Sequence, residues 1–381
     1  MDFRTLADIP VTDGHVHFAH LERMSAVLEV MGSAGVAKIN LVSLPDAANN
    51  NHNAALLGFK LRHPEQVYIS GALDYLEARA DRGRLPEMLA NQVARLKAVG
   101  FDGIKLIEGK PTMRKWVGFP LDAPEYQGMW AEVERHDLPV VWHVADPEEF
   151  WDWERCPEWA RSSGWCYAAG QHPAKEQLYA EADHVLRRNP GLRIIFAHFY
   201  FLSADLRRAG ALLDAHPNVS FDLTPGIEMY NNFTRKNDAA REFFIRYQDR
   251  LIYGTDISSD TLGSGRQGMF NSLGAAWLVR SFLEQEGEFW MPLAMSHWLD
   301  RDLEAFCGLG LPRPLLEKIY FRNFERMFGL APKRLHLDSA VNEMERLASV
   351  IDARPRNDAF QNQARRVAVW LREASAENAL Q

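Results

Sequence analysis

Cysteine is scarce in this chain. Cys156, Cys166 and Cys307 are its whole complement among 381 residues. They are too few for a disulfide framework and lack metal-ligand spacing. A reduced, cytoplasmic protein is the plain expectation, with a Cys156–Cys166 bridge inside a loop as the alternative. No apolar run approaches the roughly 18 residues of a spanning helix, and no basic segment leads into an apolar one at the N-terminus. A membrane is therefore not expected as a partner. Lysine- and arginine-rich blocks are also missing. The net charge is −8, which argues against nucleic acid. No glycine-rich phosphate fingerprint follows the first strand, against a dinucleotide-binding sheet. Hairpin turns between strands are absent too, which disfavours antiparallel folds.

What is present is an alternation. Short apolar strands are predicted at Val11–His17, Ala37–Ser43, Val67–Leu73, Gly103–Ile107, Leu138–His143, Arg193–His198, Val219–Asp222 and Leu251–Asp256. Helical patterns separate them, and 47% of the residues are hydrophobic, enough for a large core. Continuous apolar strands joined by helices imply a parallel sheet covered on both faces. Eight such units fit a (β/α)8 TIM barrel better than an open sheet, giving an α/β protein with residues 1–330 in the barrel. The late helix Pro314–Phe328 closes that unit. Residues 331–381 form a charged helical extension with Pro355 between two helices, a candidate for homo-oligomer contacts. The longest gap between strand ends falls after the fifth strand. Residues Val144–Pro173 carry Trp151, Trp153, Trp159 and Trp165, four of the 11 tryptophans. Long loops in compact domains are usually functional or disordered, and this one is too aromatic for disorder. It reads as a lid, with a packing or interface loop as the alternative.

Active sites of such barrels lie at the C-terminal strand ends. There the sequence places His15 and His17 on the first strand, Lys105 on the fourth, His143 on the fifth, His198 on the sixth and Asp256 on the eighth. Residues i and i+2 of a strand share a face, so His15 and His17 aim at one spot. Histidines converging with a carboxylate make a ligand set for zinc or a similar divalent ion. Lys105 would face inward, with Ile104 and Leu106 facing the helices, and needs a negative partner or a modified form. Any one histidine alone is as readily explained by backbone hydrogen bonds; the ordered set is not.

DGHVH on the first strand, VVWH on the fifth, NPGLRIIFAH on the sixth, LIYGTD on the eighth and the late IYFRNFERMFG together resemble the amidohydrolase superfamily. The resemblance covers about residues 11–330 and points to the branch that includes zinc-dependent non-oxidative decarboxylases. It implies that His15, His17, His143 and Asp256 bind the metal, with His198 as acid/base or polarising group. One ion is favoured. Lys105 is the departure, because binuclear members carry a carboxylated lysine there. In that case His143 and His198 would hold a second ion.

A bound divalent ion lowers a water's pKa and polarises a carbonyl. Asp256 could then take the water's proton and return it to a leaving group. Asp222 and Glu108 are candidate supports for these groups, and His172, Arg266 and the lid tryptophans candidate substrate contacts. The first expectation is hydrolysis of a C–N or C–O bond (amide, lactone or ester) in a small molecule. Decarboxylation of a small carboxylic acid is the alternative, and a non-enzymatic binding protein a distant third.

Overall fold

Strands that are apolar on both faces must be covered on both, by side chains inside a barrel and by helices outside. The computed structural model describes residues 1–46, 50–75, 82–226, 228–291, 305–353 and 362–379. Its main sheet contains β1 (Val11–His17), β2 (Val36–Val42), β3 (Val67–Gly71), β4 (Gly103–Gly109), β5 (Val140–Val144), β6 (Ile194–Phe196), β7 (Val219–Asp222), β8 (Leu251–Ile252) and β9 (Ile257–Ser258). All neighbours are parallel, β8 beside β7 and β9 beside β1. The last two strands are pieces of one eighth position. Gly14 N–H donates to the Tyr253 carbonyl at 2.9 Å and Asp256 N–H to the His15 carbonyl at 3.0 Å, so the ring closes between its first and eighth members. This is the expected TIM barrel.

Closure explains Gly14. A Cβ there would lie 3.0 Å from Ile252 Cγ2 and 3.1 Å from the Tyr253 carbonyl, so a side chain would push the two strands apart. The β1–β2 register also slips between Asp13 and Val16, leaving one extra residue on β1. Such bulges re-aim side chains at barrel rims, and this one lies under His15.

Most strands match the expectation within one or two residues at their ends, but two break off where a site residue is expected. The sixth ends at Phe196 rather than His198, and His198, Phe199, Tyr200 and Phe201 then turn through left-handed backbone with φ of 55°, 54°, 57° and 50°. The eighth is not continuous, because Asp256 also adopts positive φ, at 58°. Left-handed backbone costs about 1–2 kcal/mol per non-glycine residue, so tertiary contacts must hold it. Phe199 sits against Phe221, Phe233 and Phe243. The Tyr179 hydroxyl donates to the Tyr200 carbonyl at 2.9 Å.

Inside the barrel, Val42, Tyr68, Val141, Ile195 and Ile252 pack with Phe324, Met327 and Phe328. Those last three come from the late helix, which plugs the barrel floor. Phe324 and Phe328 stack at 4.3 Å between ring centres. The predicted helix at Pro314–Phe328 is found as Arg313–Glu317, a π turn over Lys318–Arg322, and Asn323–Phe328. At that wide turn the Ile319 carbonyl accepts from Tyr253 N–H of the eighth position at 3.0 Å. As expected, Ile104 and Leu106 join the outer core while Lys105 is buried on the inner side.

Helices Leu337–Asp352 and Gln363–Ala379 pack on the barrel's outer helices. The Gln363 amide accepts from Leu21 N–H and donates to the Ala19 carbonyl. Pro355 lies outside the described residues. Among the described residues, no helix is long and apolar enough to cross a membrane.

Candidate active site

The strand ends open into a cavity of about 660 Å³. His17, Lys105, His143, His198 and Asp256 all line it, together with Lys110 and Asp146. From the lid come Phe150, Trp159 and Trp165; Phe201 adds a fourth aromatic wall. Trp151, Trp153, His172 and Arg266 are not among the described lining residues. Trp151 donates its indole N–H to the Pro173 carbonyl, and His172 packs on Tyr167.

At one end of the cavity three donor atoms form a triangle. His15 Nε2 lies 3.3 Å from His17 Nε2 and 3.6 Å from Asp256 Oδ1, and His17 Nε2 lies 3.0 Å from that oxygen. A tetrahedral zinc with bonds of about 2.0–2.1 Å holds its donors roughly 3.3 Å apart, which these spacings match. Asp256 Oδ1 and His17 Nδ1 are buried and make no hydrogen bond of acceptable geometry among the described residues. Two imidazoles and an orphaned carboxylate oxygen therefore suit a divalent cation, and these three residues form a group that could hold one. His143 is not in that group. Its Nε2 is 3.2 Å from Asp146 Oδ1 and its ring lies edge-on to His198 with centres 5.1 Å apart.

Asp222, at the end of β7, sets two of the histidines. Its Oδ2 accepts from His15 Nδ1 at 2.8 Å, which leaves the Nε2 lone pair of His15 facing the triangle. Its Oδ1 accepts from His198 N–H at 2.8 Å and from the Thr224 hydroxyl. The Thr224 hydroxyl is also 3.2 Å from His198 Nδ1. Asp13 supports the other side, accepting from Thr255 N–H and hydroxyl and from His15 N–H.

Burial pushes His15 and His198 down to about 4 and lowers His143, so all three rings favour the neutral form that binds metal. Burial also lowers Lys105 to about 8, opposed by Asp256, Asp222 and Glu108. Its ammonium donates to His15 Nε2 at 3.0 Å. Burial works against an ionised Asp256, but His17, His198 and His15 hold its carboxyl well below the usual range. Glu108 turns away: its Oε1 accepts from the Tyr75 hydroxyl at 2.6 Å.

The structure thus brings His15, His17 and Asp256 into one donor group and arranges Lys105, His143 and His198 around the same cavity. Lys110, Asp146, Tyr167 and Thr224 also belong to the site, and no sequence motif singles them out. Asp146 follows His143 by three residues, a spacing that could have flagged it, but its partners come from separate loops.

The family model described as Amidohydrolase matches residues 13–330. A gamma-resorcylate decarboxylase of Rhodococcus jostii (strain RHA1) is 35% identical over 79 residues, covering 20% of this chain and 23% of that protein. The chain thus matches less than a quarter of that relative's length. An uncharacterized TIM-barrel protein of Bordetella bronchiseptica has a similar fold, with a TM-score of 0.53 at 13% identity over 84% of this chain and 98% of that one. A 2,6-dihydroxybenzoate decarboxylase from Rhizobium aligns with a TM-score of 0.49 at 16% identity, over 84% and 99% of the two chains.

Proposed function

Since the chain belongs to the amidohydrolase family, we propose that it is a metal-dependent carboxy-lyase that removes carbon dioxide non-oxidatively from a small aromatic acid. The observation that carries this reading is the 35% identity to a gamma-resorcylate decarboxylase. The cavity supports it. Aromatic walls from the lid and Phe201 suit a flat ring, and the Lys105 cation beside the donor triangle suits a carboxylate. A neutral amide or ester would not call for that cation, so the expected hydrolysis of a C–N or C–O bond takes second place.

His15, His17 and Asp256 would hold the metal, with His143 as the fourth candidate, and zinc is the ion such nitrogen and oxygen donors favour. When bound it supplies positive charge that fixes and polarises the substrate's oxygens. Asp256, with a side chain 33% exposed, links solvent to the cavity. It carries a proton from solvent to the ring carbon. The electron pair of the breaking C–C bond is left on that carbon, the new C–H bond takes the proton, and the carboxylate departs as carbon dioxide. Lys105 and His198 orient the acid through its oxygens. Trp159 and Trp165, edge to face with ring centres 5.8 Å apart, shield the acid from water, which favours loss of the localised carboxylate charge.

The test is to give zinc-loaded protein gamma-resorcylate and related hydroxybenzoic acids, and in parallel a set of lactones, esters and amides. Release of carbon dioxide from at least one acid, abolished by Asp256→Asn, is expected. Turnover confined to the lactones, esters or amides would return the assignment to hydrolysis.

A further inference from the structure

Of the two carboxylates lining the cavity, Asp146 and Asp256, Asp146 is the more heavily hydrogen-bonded. It is 2% exposed and follows His143 by three residues, just after Ala145 at a φ of 68°. Three donors from three parts of the chain converge on it. Lys110, which follows β4, reaches Oδ1 at 2.8 Å and Oδ2 at 2.9 Å. The Tyr167 hydroxyl, in the lid, donates to Oδ2 at 2.6 Å. His143 Nε2 lies 3.2 Å from Oδ1. The lid grips this group a second time, because Lys110 Nζ sits 4.1 Å from the centre of the Trp165 ring.

An ionised carboxylate only accepts, so the imidazole nitrogen facing it must carry a proton. Asp146 thereby fixes His143 as the Nε2–H form, and Nδ1 keeps the lone pair. Tyr167 and Lys110 in turn fix Asp146. Tyr167 itself is buried, packed on Trp151 and Phe150 within the lid's own small core. A shift of the lid must therefore pull at the carboxylate that orients His143.

We propose that Asp146 is a positioning residue through which the lid sets the tautomer and orientation of His143, along the line Tyr167–Asp146–His143. The lid then does more than cover substrate: with it seated, one cavity histidine presents a single form; with it displaced, that histidine is released. The consequence for catalysis rests on the carboxy-lyase reading, but the relay itself is a property of the protein without substrate.

The test uses the full chain, ¹⁵N-labelled in its histidine rings and kept metal-free with a chelator. The pattern of long-range ¹H–¹⁵N couplings gives the tautomer of each ring, and the His143 signals are those lost in His143→Gln. The wild type should show the Nε2–H form. Tyr167→Phe removes one hydroxyl and should move His143 toward a tautomer mixture. Asp146→Asn should do so further, and adding Tyr167→Phe to it should change nothing more. In the metal-loaded enzyme kcat for the acid should drop about tenfold or more for Asp146→Asn, less for Tyr167→Phe, with partial rescue by Asp146→Glu. If Asp146→Asn does not fold, Tyr167→Phe alone decides. His143 signals unmoved by these changes would overturn the relay, whether or not the enzyme releases carbon dioxide. Moved signals with no carbon dioxide from any acid would leave the relay standing and overturn the carboxy-lyase reading instead.

Discussion

Asp222 joins two histidines that the sequence places far apart, holding His15 through one carboxylate oxygen and the His198 backbone through the other. Replacing it with Asn puts an N–H donor against either a donor or the wrong tautomer. Asp222→Asn should therefore weaken metal binding by about 10–100-fold, readable by competition with a chromophoric chelator; unchanged affinity would remove Asp222 from this role. Glu228 poses a different residue-scale problem. Both its carboxylate oxygens are buried without a hydrogen-bond partner among the described residues, and burial pushes it from its ordinary 4.5 up to about 7. The folded state thus binds this proton more tightly than the unfolded chain. Stability is full below the ordinary value and is lost as pH rises toward 7, by about 3 kcal/mol in all. Glu228→Gln should leave Tm nearly unchanged near pH 5 and raise it near pH 8; an equal shift at both would rule this out. His15 and His17 were legible because strand alternation alone brings them together. Asp146 and Thr224 were not, because their partners arrive from other loops, and no local pattern records that meeting.

Elements were legible from local apolar pattern even where the run is short. Val219–Asp222, only four residues long, is found as expected, and the late helix could be seen as a helix. That it enters the barrel could not, since helical periodicity marks an apolar face without naming what covers it. Phe324 is fully buried between Tyr68 and Phe328. Phe324→Ala should cost about 3–5 kcal/mol in urea unfolding; a loss below about 1 kcal/mol would mean the floor is not packed around that ring. The turn after Phe196 shows the limit from the other side. Arg193–His198 reads as strand throughout, yet His198 leaves the strand because Asp222 and Thr224 capture its backbone N–H. Long-range acceptors decide that break, and nothing in RIIFAH announces them.

At the scale of the molecule, the barrel supplies rigid strand ends and the 144–173 segment supplies cover. Phe150, Trp159 and Trp165 of that segment line the cavity, the placement that a lid requires. Only part of its aromatic content serves there. Trp153 is 63% exposed, and Trp151 packs within the segment. Trp159→Ala with Trp165→Ala should thus raise KM for the aromatic acid about tenfold or more while leaving metal content alone, and an unchanged KM would make the segment packing rather than cover. The central claim is that one divalent ion, held by His15, His17 and Asp256, serves loss of carbon dioxide while Lys105 stays an unmodified ammonium. It is tested most directly by titrating zinc into metal-free enzyme and following carbon dioxide released from the acid. Activity should rise to a break at one equivalent per chain and stay absent in His15→Ala/His17→Ala. A break at two equivalents, or release of carbon dioxide without metal, would contradict the account.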